Sequence, residues 1–198
     1  MLGAILAGGR SRRFGDDKLL YRIGGKPLIL HAVERLETAR RIDEVVLIAS
    51  KNNAEKLRGL GYDVLVDELM IGPMGGLYIA LSLGDALVVA GDMPLIVPEF
   101  VDYIIREFRK NGKAVCVPRW DNGYLEPLHA AYSEEFRGFL GEKIKSRDYA
   151  LNRAIRESNP CYVSIEALPE EWRVSFFNVN TREDLRRVRG IRERRLER

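Results

Sequence analysis

Gly3-Ala4-Ile5-Leu6-Ala7-Gly8-Gly9 is a short apolar run that stops at two glycines, as a buried strand feeding a tight turn does. Runs of the same kind recur at residues 44–49 (EVVLIA), 63–66 and 85–90 (DALVVA), the last being the most strongly apolar. Stretches with helical spacing stand between them: residues 27–38, with Leu28, Ala32, Val33 and Leu36 on one side, then 52–58 and 75–83. Pro27 suits the first position of its helix. Val/Ile/Leu runs without polar alternation belong to strands covered on both faces. Their alternation with helices predicts an α/β fold, a mostly parallel sheet with helices on both faces.

The second half reads less regularly. A helix is expected from Pro98 to about Lys110, a strand at 114–117, and a loop or hairpin over 118–132 that ends in a strand. Helices at 134–140 and 147–158 and strands at 162–165 and 175–178 follow. The tail, residues 181–198, sets Leu185, Val188 and Leu196 on one side among eight Arg and four acids. Thr181 with Asp184 three residues on resembles a helix-capping pair. Without a repeat, a low-complexity stretch or a long linker, one domain over 1–198 is expected.

Composition removes several function classes. The 198 residues are 46% hydrophobic and 31% charged, with 32 Lys plus Arg against 29 Asp plus Glu and a net charge of +3. That apolar content excludes a disordered chain, and the charge balance argues against a nucleic-acid binder. Cys116 and Cys161 make no disulfide scaffold and form no zinc motif with His31 and His129. No apolar run is long enough to span a membrane, and the N-terminal one is too short for a signal peptide, so a soluble cytoplasmic protein is expected.

Three stretches can carry chemistry. In Leu6-Ala7-Gly8-Gly9-Arg10-Ser11-Arg12-Arg13-Phe14-Gly15-Asp16-Asp17-Lys18 a strand ends in glycines, followed by three Arg and a Lys. Glycines let backbone N–H groups close on an anion, and Arg13 and Lys18 would neutralise a polyphosphate. The spacing is neither a Walker A loop nor GxGxxG; the alternative is a surface turn beside a solvated basic run. In Gly91-Asp92-Met93-Pro94 an acid stands just past the most buried strand, where α/β sheets bind ligands and where a carboxylate can hold Mg²⁺ with phosphate oxygens. Asp92 could equally organise its turn. Asp67, ending another strand, could be a second carboxylate, a nucleotide contact or structural. Gly72-Pro73-Met74-Gly75-Gly76-Leu77 opens a helix whose free N–H groups could meet a base or phosphate, or is simply a tight turn. His31, His129 and Cys116 read as packed residues, and no nucleophile–base pair is identifiable.

Taken in order, these stretches resemble the molybdenum cofactor guanylyltransferase family of small nucleotidyltransferases, with Phe14 where Met is usual. Gly25-Lys26-Pro27-Leu28, Pro127-Leu128-His129-Ala130 and Phe177-Asn178-Val179-Asn180-Thr181 continue the likeness over nearly the whole chain. The resemblance implies a Rossmann-like nucleotidyltransferase fold with a nucleotide-binding half (about 1–97), an acceptor-binding half (about 98–180) and a C-terminal helix (181–198). It implies transfer of GMP from MgGTP to the phosphate of molybdopterin, releasing pyrophosphate. Leu6, Ala7, Gly8, Gly9, Lys18 and Gly75 would line the GTP site, with Arg13 at the triphosphate. Asp67 would contact nucleotide, Asp92 nucleotide and Mg²⁺, and Asn178 and Asn180 would lie toward the pterin. Arg13, Lys18 and Asp92 would then be the catalytic set. One departure is Ile48, where the family can place an Asn; Ser50 or Asn52 would have to substitute. The implied partners are GTP, molybdopterin and a molybdoenzyme or carrier that receives the product, with neither nucleic acid nor membrane. Molybdopterin cytidylyltransferases, cobinamide-phosphate guanylyltransferases and sugar-phosphate enzymes stay open, as does a nucleotide-binding regulator without turnover. Gly9 fits guanylyl better than cytidylyl enzymes.

Overall fold

The N-terminal apolar run forms β1 (Leu2–Leu6), an interior strand of the main sheet. The computed structural model describes residues 1–8 and 18–196. A 3-10 turn at Lys18–Leu20 and a small hairpin, β2 (Arg22–Ile23) with β3 (Lys26–Pro27), lead into α1 (Leu28–Thr38). Next come β4 (Glu44–Ser50), α2 (Ala54–Arg58), β5 (Val64–Asp67), α3 (Pro73–Ala80), β6 (Ala86–Ala90) and α4 (Pro98–Asn111). β7 (Val115–Arg119), β8 (His129–Tyr132), α5 (Phe136–Lys145), α6 (Leu151–Glu157), β9 (Cys161–Ser164) and α7 (Arg182–Leu196) complete the order.

Seven strands form one sheet in the order β5-β4-β1-β6-β8-β7-β9. The first four are parallel, β9 is parallel to β7, and β8 is antiparallel to both its neighbours because it returns directly from β7. The core divides by strand alternation. Ile5, Leu47, Leu87 and Val89 point to one face under α1, α2 and α4. Ala4, Leu6, Val46, Ile48 and Val88 point to the other under α3, α5 and α6. Both faces are therefore covered, as the apolar runs predict. A third cluster, Ile23, Leu28, Leu95, Val179, Leu185 and Val188, docks α7 onto the hairpin and the segment after Asp92. The expected cap on α7 forms: Thr181 Oγ1 accepts from Asp184 N (3.1 Å), and Asp184 Oδ2 accepts from Thr181 N (2.8 Å).

Two expectations fail. Pro27 is extended (φ −51°, ψ 141°) and belongs to β3, where its partner Arg22 holds it, so α1 begins one residue later. Residues 175–178 are not a strand. A 3-10 stretch, Glu170–Phe176, ends with Phe177 N donating to Val174 O (3.0 Å), and the chain then continues as a strap whose Val179 N donates to Asp92 O (2.9 Å). Its backbone partner is a turn and not a neighbouring strand.

Candidate active site

From β1 the chain moves to β4 on one side and later crosses to β6 on the other. That reversal opens a crevice at the carboxyl ends of β1 and β6. The register holds the ends level: Leu6 pairs with both Ile48 and Ala90. Ala7 N donates to Ile48 O (2.8 Å) and Gly91 N to Leu6 O (3.0 Å). The Leu6 side chain is committed to α3, since a Cβ on Gly76 would lie 3.1 Å from its Cδ2. Leu6 can therefore offer a ligand only backbone. Gly8 is exposed, and among the described residues a Cβ there would meet only Ser50 N, at 4.0 Å.

Lys18 and Asp92 meet across this crevice. Lys18 Nζ donates to Asp92 Oδ2 at 2.6 Å and to Val179 O at 2.8 Å, with the two side chains only 15% and 19% exposed. Leu19 fixes the Lys18 turn by packing on Gly91, where a Cβ would stand 3.3 Å from Leu19 Cδ2. Met93 N donates to Ala90 O (3.2 Å) and closes the turn that carries Asp92. Among the described residues, Asp92 Oδ1 is buried and has no hydrogen-bond partner. Leaving such an oxygen unsatisfied costs about 1–3 kcal/mol. A hard divalent cation takes this kind of donor, completing its shell with water and phosphate oxygens. Asp92 fits that role as a single ligand; no group of three or more His, Cys, Asp or Glu is gathered among the described residues.

Asp67 stands at the end of β5, opposite Ser50. Its Oδ1 accepts from Leu69 N (3.0 Å) and Met70 N (3.3 Å). A Cβ on Gly75 would lie 2.9 Å from both carboxylate oxygens. Glycine at 75 is what lets this carboxylate rest against the first turn of α3. β5 and β6 are three strand steps apart, roughly 14 Å at ~4.8 Å per step. Asp67 therefore cannot share an ion with Asp92, which removes the second-carboxylate reading and leaves a nucleotide contact or the organisation of its own turn.

Ile48 is buried in the α3-side core, a placement worth about 1.5–3 kcal/mol, so it is a packing residue. Beside it, Asn53 Nδ2 donates to Ala7 O (2.8 Å) and Ser50 Oγ to Asn53 Oδ1 (2.9 Å). Of the two expected substitutes, Ser50 belongs to this pair, whereas Asn52 is exposed. Asn53, unremarked in the sequence, is the residue that holds Ala7 O just past the end of β1. Asn178 Nδ2 donates to Phe176 O (3.2 Å), and Asn180 is exposed with its N–H on Asp184 Oδ2 (2.9 Å). The residue between them, Val179, makes the contacts to Lys18 and Asp92. Gly9 and Arg13 lie outside the described residues.

His129 is a packing residue, as expected. It is fully buried, stacks on Phe100 (5.0 Å) and bonds Ser175 Oγ (2.9 Å), and burial pushes its pKa down to about 3. His31 is buried with Nε2 3.2 Å from Ile23 O. Cys116 is buried, and burial pushes its thiol pKa up. Two residues outside the three chemistry-bearing stretches meet at the carboxyl edge of the sheet: Trp120, just past β7, donates its Nε1–H to Oε1 of Glu126, just before β8 (2.8 Å). The available signal in the sequence was an acid set between Leu125 and Pro127. A separate cleft of about 980 Å³, lined by Arg40, Arg41 and Trp172 among others, brings in none of these residues. Arg41 O accepts from the Met1 amine, at the opposite end of β1 from Gly8.

The family described as the MobA-like NTP transferase domain matches residues 3–161. The chain belongs to that family. A Thermococcus gammatolerans relative, named "Probable molybdenum cofactor guanylyltransferase", is 76% identical over 93% of this chain and 97% of its own length. A Thermococcus kodakarensis relative of the same name is 71% identical over 98% of this chain and 96% of its own. The crystal structure of molybdopterin-guanine dinucleotide biosynthesis protein A from Archaeoglobus fulgidus superposes with a TM-score of 0.85 at 30% identity, covering 98% of this chain and 100% of that one. The MobA-like chain thus has the Rossmann-like nucleotidyltransferase fold, and no helix among its described residues is long and apolar enough to cross a membrane.

Proposed function

We propose that this chain transfers GMP from GTP to the phosphate of molybdopterin, releasing pyrophosphate and forming the guanine dinucleotide cofactor. The Lys18–Asp92 pair at the β1/β6 crevice, in a chain of this family, is the observation that carries the reading. A single domain does the work, with residues up to about 97 holding the nucleotide and 98–180 the acceptor.

An oxygen of the acceptor phosphate attacks the α-phosphorus of GTP. The new P–O bond forms as the bond to the β-phosphate's bridging oxygen breaks, and pyrophosphate leaves. No protein nucleophile is needed; positioning and charge do the work. Backbone at Leu6, Ala7, Gly8 and Gly9 cradles the phosphates, and Arg13 and Lys18 offset the charge that grows on the leaving pyrophosphate. Asp67 and Gly75 bound the nucleoside side of the crevice. Asp92, whose Oδ1 is buried and unpaired among the described residues, would hold Mg²⁺, which would supply neutralisation of the charge that grows on the phosphates. Val179 O keeps the Lys18 ammonium in the crevice, while Asn178 and Asn180 flank the acceptor path. A molybdoenzyme or its carrier takes up the product.

Supplying GTP, CTP or ATP with Mg²⁺ and molybdopterin, and measuring pyrophosphate and product mass, tests this. GTP should be used at least tenfold better than CTP. A CTP preference, or nucleotide binding with no pyrophosphate released, would overturn it.

A further inference from the structure

On the acceptor side, one carboxylate is satisfied at only one of its two oxygens among the described residues. Glu126 is half-buried, and no cation pairs with it among the described residues; burial raises its pKa and only the Trp120 hydrogen bond opposes that. Its Oε1 accepts from Trp120 Nε1 (2.8 Å), and its Oε2 makes no hydrogen bond among the described residues. A half-buried acid without a counter-charge is a cost to folding. Such a cost is kept where a ligand donates to the group.

The surroundings place this acid beside the crevice. Two residues on, Leu128 O accepts from Ala90 N (3.2 Å), at the very end of β6 and two residues before Asp92. Trp120 packs edge-on against Phe176, ring centroids 5.9 Å apart, and Phe176 O accepts from Asn178 Nδ2. Asn178 adjoins Val179, which holds Lys18 and Asp92. Trp120 follows the end of β7 and Glu126 precedes the start of β8, so both stand at the carboxyl edge of the sheet, on the β8 side of Asp92 and away from β4 and β5. Pinning by the indole holds Glu126 in one rotamer, and a carboxylate has lone pairs for further donors.

We propose that Glu126, oriented by Trp120, is the specificity-determining residue that accepts hydrogen bonds from the 2-amino and N3–H edge of the acceptor's pterin ring. This rests on the reading of molybdopterin as acceptor. That edge presents two parallel N–H donors, the arrangement a carboxylate takes in bidentate fashion. Glutamine would replace one acceptor with a donor, facing donor to donor. Glu126 touches no reacting atom, so it governs acceptor KM and not kcat.

The test uses the full chain and three measurements. In the first, 6-hydroxymethylpterin and its lumazine counterpart, which carries oxo in place of the 2-amino group, compete against molybdopterin in the GMP-transfer assay. The pterin should compete at least about tenfold better with the unaltered chain. In the second, Glu126→Gln should raise the KM for molybdopterin by about tenfold to a hundredfold, with kcat and the KM for GTP within about twofold, and should erase the pterin–lumazine difference. In the third, Trp120→Phe, which keeps a ring and loses the N–H, should give a smaller rise. An unchanged molybdopterin KM and an unchanged pterin–lumazine ratio in Glu126→Gln would overturn the role of Glu126 while GMP transfer stood. A rise in the KM for GTP alone would overturn it too, assigning Glu126 to guanine. If the unaltered chain transfers GMP to no pterin, the acceptor reading falls and this proposal with it.

Discussion

The two sides of the crevice are built by different means. On the side proposed for the nucleotide, β5, β4, β1 and β6 run parallel and bring their carboxyl ends level, so the surface on offer is backbone at Leu6–Gly8 beside glycines that keep side chains away. On the acceptor side, the reversed β8 and the 174–180 strap bring together residues far apart in sequence. Ser175 bonds His129 across 46 positions, and Lys18 reaches Val179 across 161. A contiguous motif can encode the first kind of site. The second exists only once the chain has folded, which predicts that the two sides will respond differently to substitution.

The largest effect is expected where the sides join. Asp92→Ala should lower the rate of GMP transfer by at least about 10²–10³-fold and Lys18→Ala by a similar amount, in a pyrophosphate-release assay on protein that circular dichroism shows to be folded. Near-normal turnover in Asp92→Ala would show that the junction is not the reaction centre.

The acceptor side should reveal itself through pH. Buried His129 has a pKa lowered from 6.5 to about 3, so it stays neutral in the fold while the unfolded chain takes up a proton below about 6.5. Its neutral burial thus favours the fold above pH 6.5, and that contribution is lost as pH falls toward 3. The slope is at most about 1.4 kcal/mol per pH unit. Urea unfolding at pH 7 and pH 5 should show this loss, and His129→Leu should remove the His129 part of it. An identical pH slope in the variant would contradict a neutral buried His129.

A smaller effect separates the nucleotide side. Gly75→Ala puts a methyl 2.9 Å from both Asp67 carboxylate oxygens, an overpacking cost of about 1–3 kcal/mol. It should raise the KM for GTP and leave that for molybdopterin nearly unchanged; equal rises in both would blur the division. Smallest is the cap of α7. Thr181→Ala removes the acceptor for Asp184 N and should cost about 1 kcal/mol in urea unfolding, with nucleotide KM unaffected.

The same division explains what the sequence made legible. Buried parallel strands announce themselves as unbroken apolar runs, so β1, β4, β5 and β6 were readable, as was Asp92 just past a strand end. The strap was not. Ser175-Phe176-Phe177-Asn178 has strand-like residues, but its conformation is set by a 3-10 turn and by Asp92 O, which lie far off in sequence. Pro27 was misplaced because two residues of pairing with Arg22 outweigh its suitability for starting a helix. Asn53 and Glu126 carried no motif. Asn53 matters only because the fold carries it to Ala7 O, and Glu126 only because Trp120 and the end of β6 come to it. Ile48, which departs from the family's pattern, proves to be core and leaves polar contact to its neighbours.

The central claim is direct, metal-dependent transfer of a nucleotidyl group between two substrates held on either side of Asp92. GTP labelled at its α-phosphate, incubated with molybdopterin, Mg²⁺ and the full chain, tests it most directly. The label should appear wholly in the pterin product, with unlabelled pyrophosphate and no label bound covalently to protein. Label retained on the protein, or label that stays in GTP while molybdopterin is present, would contradict the account.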